Sequence, residues 1–478
     1  TGGAALTADR EAEVALGVAS PRTPAEGALY AYDAPARAAM KSAGLDPHHA
    51  IRVWDFTTRS LLEPTLDVNA MRAAELAAFE ATPAGDAGVS PDGGGGVGIA
   101  LDSVSTTTTG TVAVAVTGHL TGVPSFRTAA GSLNRDATGA PAIAGVHDVP
   151  FRVAIPAGTG DYHIVMYGHG TGGTYDEDNF DQEITANGAV KVGTQFMGWT
   201  ASSVVDTFAL FNEIVAGSEI SSAGLMQSLA DTMVVQRALG SSLGAVLAAP
   251  TLMGTTNPAA GRRPSANLPV WVGGSLGGIL GFVYSSAEPT IPAGVLNVPG
   301  AAWAQFVPYS LMFTSYVSLV MRSNYPSPID VRLAVATAQN NFDPIDGAAW
   351  YDAVGDHHPV FLEQESIGDP VVPNLGNEMV AAASHAVQVG VVVSPITTCT
   401  DVPQATNQTG MTQFRVPPSV TAPYSIHGFA AGSSVAGVAA QQQIEAFIAS
   451  VWAGSPVITI PPACVTNTPA NSCDFSGN

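Results

Sequence analysis

Ser275 stands in Gly273-Gly274-Ser275-Leu276-Gly277, after the apolar run Leu268 to Val272 and before the small, apolar stretch Gly278 to Phe282. A serine hydroxyl becomes a useful nucleophile only with a base beside it, an acid to orient that base and donors for the developing oxyanion. The spacing G-x-S-x-G fits a sharp strand-to-helix turn, where small residues two before and two after the serine are a steric requirement. In a chain with 51 glycines the pattern alone decides little, so the partners have to be found.

Three further stretches supply them. Tyr167-Gly168-His169-Gly170-Thr171-Gly172-Gly173 follows the apolar strand His163 to Met166. Its backbone can offer one oxyanion N–H, from Gly170 or Thr171, while Leu276 offers the other. The His169 side chain is read as shaping that loop. Asp369, in Ser366-Ile367-Gly368-Asp369, follows the apolar strand Pro359 to Leu362 and precedes a helix expected over Asn377 to Ala386. Asp343, Asp346, Asp352 and Asp356 lie nearby and compete as the acid. His427, in Tyr424-Ser425-Ile426-His427, lies before the last helix, expected over Gln441 to Trp452. His357 and His358 precede a strand and so stand at the wrong end of the sheet, and His385 is expected inside a helix. The order serine, acid, histidine is one of the known chain orders of a hydrolytic triad.

These four motifs make the C-terminal two-thirds of the chain resemble an α/β-hydrolase. The resemblance implies Ser275 as nucleophile, Asp369 as acid and His427 as base. It also implies the N–H groups of Leu276 and of Gly170 or Thr171 as the oxyanion hole. The stretches VWDFTTRS and PFRVAIP are similar to secreted bacterial lipases that carry a small β domain before the catalytic one. Those enzymes commonly have phenylalanine or leucine leading into the His-Gly pair, where this chain reads MYGHGTGG. The implied activity is hydrolysis of a carboxylic ester through an acyl-enzyme. A serine peptidase on the same scaffold, or a non-catalytic binding protein, is the alternative; no propeller-like repeat precedes the core.

Elements must hold these residues in place. From about Pro150 apolar strands alternate with helical stretches, the pattern of a mostly parallel sheet with helices on both faces. The expected division is a mainly β region over 1–149 with a glycine-rich linker near 90–98, a catalytic domain over 150–455 and a tail over 456–478. A helix is expected from Leu66 to Ala81, the run Ala50 to Leu62 reads as β-rich, and the first 30 residues or so as a loose arm. The stretch between Ser275 and Asp369 exceeds what one strand and helix need. Part of it, about 301–350, reads as a cap over the site, with Trp303, Phe306, Tyr309 and Phe313 lining an apolar acyl or aromatic pocket. Lipids, short acyl esters and polyesters all suit such a pocket.

Composition narrows the rest. The net charge of -22 disfavours nucleic acid and anionic lipid surfaces as partners. No apolar run is long enough to cross a bilayer. Only two residues, Lys41 and Lys191, are lysines. The start TGGAAL has no leader-like character, and a secreted or cell-surface protein is expected. Of Cys399, Cys464 and Cys473, two are expected to form a disulfide holding the tail. Asp176, Asp178 and Asp181 raise a calcium question, but the glycine that an EF-hand loop needs is missing and a solvated loop fits better. No metal or organic cofactor is expected, and oligomeric state is not legible.

Overall fold

The computed structural model describes residues 7–53, 60–81, 96–106, 110–265 and 268–477, and of residue 316 the backbone alone. Two compact units emerge, Thr1–Ser60 and Leu61–Asn478. The first holds three short helices, α1 (Arg10–Leu16), α2 (Pro24–Tyr32) and α3 (Ala34–Ser42). Asp9 accepts from the Ala12 N–H and Thr23 from the Glu26 N–H, filling donors that a first turn leaves open. The stretch expected to be a loose arm holds α1, in which Ala12, Val14, Ala15 and Leu16 are buried, and most of α2, in which no residue is buried. Of the run expected to be β-rich, residues 54–59, with Trp54 and Phe56, lie outside the described residues, as does most of the glycine linker.

In the second unit α4 (Leu66–Glu80) matches the expected helix. The strands are β1 (Gly98–Ser105), β2 (Val112–Ser125), β3 (Gly145–Pro156), β4 (His163–Gly168), β5 (Ala189–Thr194), β6 (Val270–Gly274) and β7 (Ala293–Asn297). They continue with β8 (Val360–Ser366), β9 (Val387–Val389), β10 (Asp401–Val402), β11 (Gly410–Arg415) and β12 (Cys473–Asp474). Among the described residues these make one sheet in the order β1-β2-β3-β5-β4-β6-β7-β8-β11-β9-β10, with β12 beside β11. Pairs from β5–β4 onward are parallel, while β1–β2, β2–β3 and β3–β5 are antiparallel.

Two expectations look different in this light. The strands assigned to a separate β region are the antiparallel end of the same sheet, and β3 runs across the expected boundary at 149. Alternation such as that of β2, buried at every second residue over most of its length, reports that one face is covered, not which strand lies alongside. The helix expected from Asn377 runs over Asn374–Ala383, so His385 lies beyond it, with φ 55°.

Helices α5 (Ile214–Leu239) and α6 (Leu276–Ala287) cover one face of the sheet, and α10 (Val435–Trp452) the other. Successive strand residues divide accordingly. Ile164, Met166, Trp271 and Phe361 join the core with Leu229 and Leu280, whereas Val165, Tyr167, Val270, Val272 and Leu362 pack with Ile444 and Ile448. Coverage on both sides explains why β5 is buried at all six positions. The crossover between β7 and β8 carries α7 (Trp303–Phe306), a π-helical turn (Phe313–Val317) and α8 (Pro328–Phe342). After β8 comes α9 (Asn374–Ala383). Cys464 and Cys473 form the disulfide, leaving Cys399 free and half-buried.

Candidate active site

Ser275 follows β6 directly and caps α6, with φ 57° and ψ -122°, a backbone conformation that L-residues rarely adopt and that functional turns retain. Its N–H donates to the Asn297 carbonyl at 2.9 Å, which ties the turn to the end of β7. The two outer glycines of the motif are two sides of one contact. A Cβ on Gly273 would lie 2.3 Å from the Gly277 carbonyl oxygen, and one on Gly277 would lie 1.9 Å from the Gly168 carbonyl oxygen. The loop after β4 therefore rests on the turn itself. Gly170 comes closest to the serine: a Cβ there would sit 3.6 Å from the Ser275 Cβ. Leu276 opens α6, so its N–H has no helical acceptor.

His169 is fully used by that loop. Its Nδ1–H donates to the Gly170 carbonyl at 2.7 Å, and its Nε2 accepts from the Phe196 N–H at 3.0 Å. Burial pushes its pKa down, so the ring is held neutral in one tautomer and serves as a brace. Of the acidic stretch, Asp181 is paired with two cations. Asp181 accepts from Arg152 at 3.0 and 2.6 Å and from Lys191 at 2.9 Å, while Lys191 also donates to the Glu177 carbonyl. Burial lowers the Lys191 pKa to about 8.

Asp369 and His427 meet across 58 residues of sequence. The His427 Nδ1–H donates to Asp369 Oδ2 at 2.6 Å, and both side chains are buried. The other carboxylate oxygen accepts from the N–H groups of Val371 and Val372 at 2.7 and 3.2 Å. Ser366 Oγ donates to the Ile426 carbonyl at 2.7 Å, binding the histidine loop to the end of β8. His427 Nε2 is buried with no hydrogen-bond partner, the Ser275 hydroxyl included. Free sites commonly hold such a pair loosely until substrate tightens it. Of the rival groups, His357 bonds the Ser285 carbonyl, His385 bonds Asp352, and Asp346 accepts from the Trp303 N–H.

An apolar cavity of about 80 Å³ opens at Ser275 and Leu276. Trp303, Phe306 and Phe313 line it, together with Met312 and Thr171. Tyr309 does not; it is 58% exposed. Sequence reasoning missed the other half of the wall: Trp199, Phe208, Phe211, Ile214, Phe342, Val371 and Val372. It also missed Trp271, whose indole N–H donates to the Gly277 carbonyl at 3.0 Å and buttresses the turn from below. A tryptophan four positions before the serine, in a strand otherwise aliphatic or glycine, was the available signal.

No described protein family matches the chain, and no curated protein matches it in sequence. Solved structures are similar only at a distance. An acetyl xylan esterase of a Thermoanaerobacterium species shares 13% identity over 75% of this chain and 92% of its own, with a TM-score of 0.39. An acetyl xylan esterase of a Paenibacillus species shares 12% over 70% and 86%, with a TM-score of 0.40. A glucuronoyl esterase of Teredinibacter turnerae shares 13% over 68% and 77%, at 0.30. Superpositions this loose decide neither fold nor chemistry.

Proposed function

We propose that this chain is an α/β-hydrolase that cleaves carboxylic esters, with Ser275 as nucleophile, His427 as base and Asp369 as the acid that orients it. The observation that carries the reading is a convergence. A serine on a strained strand-to-helix turn opens onto an apolar cavity, and the two residues that clamp Asp369, Val371 and Val372, line that same cavity. Ser275 Oγ attacks the ester carbonyl as His427 Nε2 takes its proton. The Leu276 N–H, with that of Gly170 or Thr171, receives the oxyanion. His427 then returns the proton to the leaving alcohol, and water repeats the sequence on the acyl-enzyme. Asp369 keeps the imidazole in the Nδ1–H tautomer, so that Nε2 is the basic nitrogen.

The cavity narrows the substrate. Its lining of aromatic and aliphatic side chains suits an apolar acyl or aromatic group. Short acyl esters and the repeat units of polyesters fit. The disulfide accords with a secreted or cell-surface setting.

A series of p-nitrophenyl esters from acetyl to dodecanoyl tests the reading. Turnover should peak at intermediate length, and Ser275→Ala should lose about 10,000-fold or more in kcat while remaining folded. Wild-type rates in Ser275→Ala would end the triad assignment. Casein cleavage without ester turnover would favour the peptidase alternative.

A further inference from the structure

The loop that carries Asp369 is pinned in two halves, and only the first is pinned by its own segment. Gly368 donates its N–H to Asn374 Oδ1 at 2.8 Å, and Asn374 Nδ2 donates to the Ser366 carbonyl at 2.8 Å. The second half carries the two N–H groups that clamp the carboxylate, those of Val371 and Val372. The peptide units of these N–H groups present the carbonyls of Pro370 and Val371 on their other side. One short stretch of the crossover between β7 and β8 takes both carbonyls. The Leu311 N–H donates to Pro370 at 2.7 Å, and Ser310 Oγ donates to Val371 at 2.6 Å.

Each clamping peptide thus receives a donor at its oxygen and offers its own N–H to Asp369. A donor on the oxygen polarises the unit and strengthens its N–H, and bonds at opposite ends fix its plane. The series continues through Asp369 Oδ2 to His427 Nδ1 at 2.6 Å.

Ser310 is itself firmly placed. It is buried, its Oγ accepts the Met312 N–H at 3.2 Å, and its carbonyl accepts the Thr314 N–H at 2.9 Å. It caps the helical turn that follows. The Leu311 N–H, which that first turn leaves without a helical acceptor, is the donor spent on the acid loop.

We propose that Ser310 is a positioning residue of the triad. Through the Val371 peptide it sets the orientation of the Asp369 carboxylate, and with it the Nδ1–H bond of His427. Ser310 lines the cavity, yet it serves the reaction and not the choice of acyl group. The inference rests on the triad reading of Ser275, Asp369 and His427. Leu311 has the same task but acts through its backbone, so Ser310 is the residue that a substitution can reach.

Ser310→Ala removes one donor and little volume. Its kcat should fall about tenfold on every p-nitrophenyl ester from acetyl to dodecanoyl, with KM unchanged. In the substrate-free protein, the far-downfield proton NMR signal of the His427 Nδ1–H, assigned by its loss in His427→Gln, should move upfield as the bond to Asp369 weakens. Ser310→Cys keeps the size with a weaker donor. It should fall between serine and alanine in both readouts, and it stands in if the alanine variant does not fold. Wild-type kcat and an unmoved signal in these variants would overturn the proposal. A change confined to KM or to acyl-length preference, the mark of a wall residue, would overturn it equally. Asp369→Asn tells the two failures apart. Wild-type kcat in that variant ends the triad reading and this inference with it, whereas a large loss there beside unchanged Ser310 variants ends the positioning role alone.

Discussion

Around Ser275 the contacts run between backbone groups, whereas around the cavity they run between rings. The Gly168 carbonyl rests against Gly277, the Ser275 N–H reaches the Asn297 carbonyl, and two successive N–H groups clamp Asp369. The walls are an aromatic set, Trp199, Trp303, Phe211 and Phe342, with centroids 4.9 to 6.5 Å apart. A floor made of backbone has geometry that side-chain exchange cannot reach without breaking it. A wall made of side chains can be reshaped residue by residue. Reaction type and substrate range are therefore separable in this molecule.

Four measurements can break or sharpen that separation. Asp369→Asn should leave the fold intact and lower kcat by about 10,000-fold, because the amide stabilises the wrong imidazole tautomer; steady-state kinetics beside circular dichroism reads it. Gly277→Ala adds a Cβ 1.9 Å from the Gly168 carbonyl oxygen. It should displace the loop, cost about 1–3 kcal/mol of stability and lower kcat by about 100-fold, as 1 Å misplacements do. Wild-type rates in this variant would show that the floor is not rigid. Met312→Ala enlarges only the wall, so the ratio of long to short ester turnover should rise about tenfold while the short ester is cleaved nearly as before.

The smallest effect concerns the strand that carries the floor. Glu363 and Glu365 on β8 are buried, and desolvation raises their pKa values from the ordinary 4.5 to about 8 and about 7. One oxygen of each has no partner, while Ser384 and Gln413 donate to the others. The folded state thus keeps protons that the unfolded chain releases. Their contribution to stability is full below about pH 4.5 and is lost as pH rises through about 7 and 8. The thermal midpoint should fall by about a few degrees between pH 5 and pH 8, and Glu363→Gln should flatten the slope. A flat wild-type profile would refute the assignment.

The floor was legible because each of its residues stands where an element ends. Ser275 and Asp369 follow apolar strands, and glycine marks each turn. The walls were legible only in part. Trp199 and Phe342 meet through Trp303 across a long separation in sequence, so no local spacing announces them and each ring reads as ordinary core. Trp303, Phe306 and Phe313 were found because they cluster in one apolar stretch; Tyr309, from the same stretch, turns outward. The single sheet was hidden for a related reason, since alternation in β2 is the same whichever strands lie beside it.

Lys191 has a practical consequence. It is 1% exposed and bonded on several sides, and the only other lysine, Lys41, is exposed on α3 in the first unit. A reagent that seeks lysine side chains meets one address in the folded chain. Coupling through it would tether the molecule by its first sixty residues and leave every residue of the sheet unit chemically untouched.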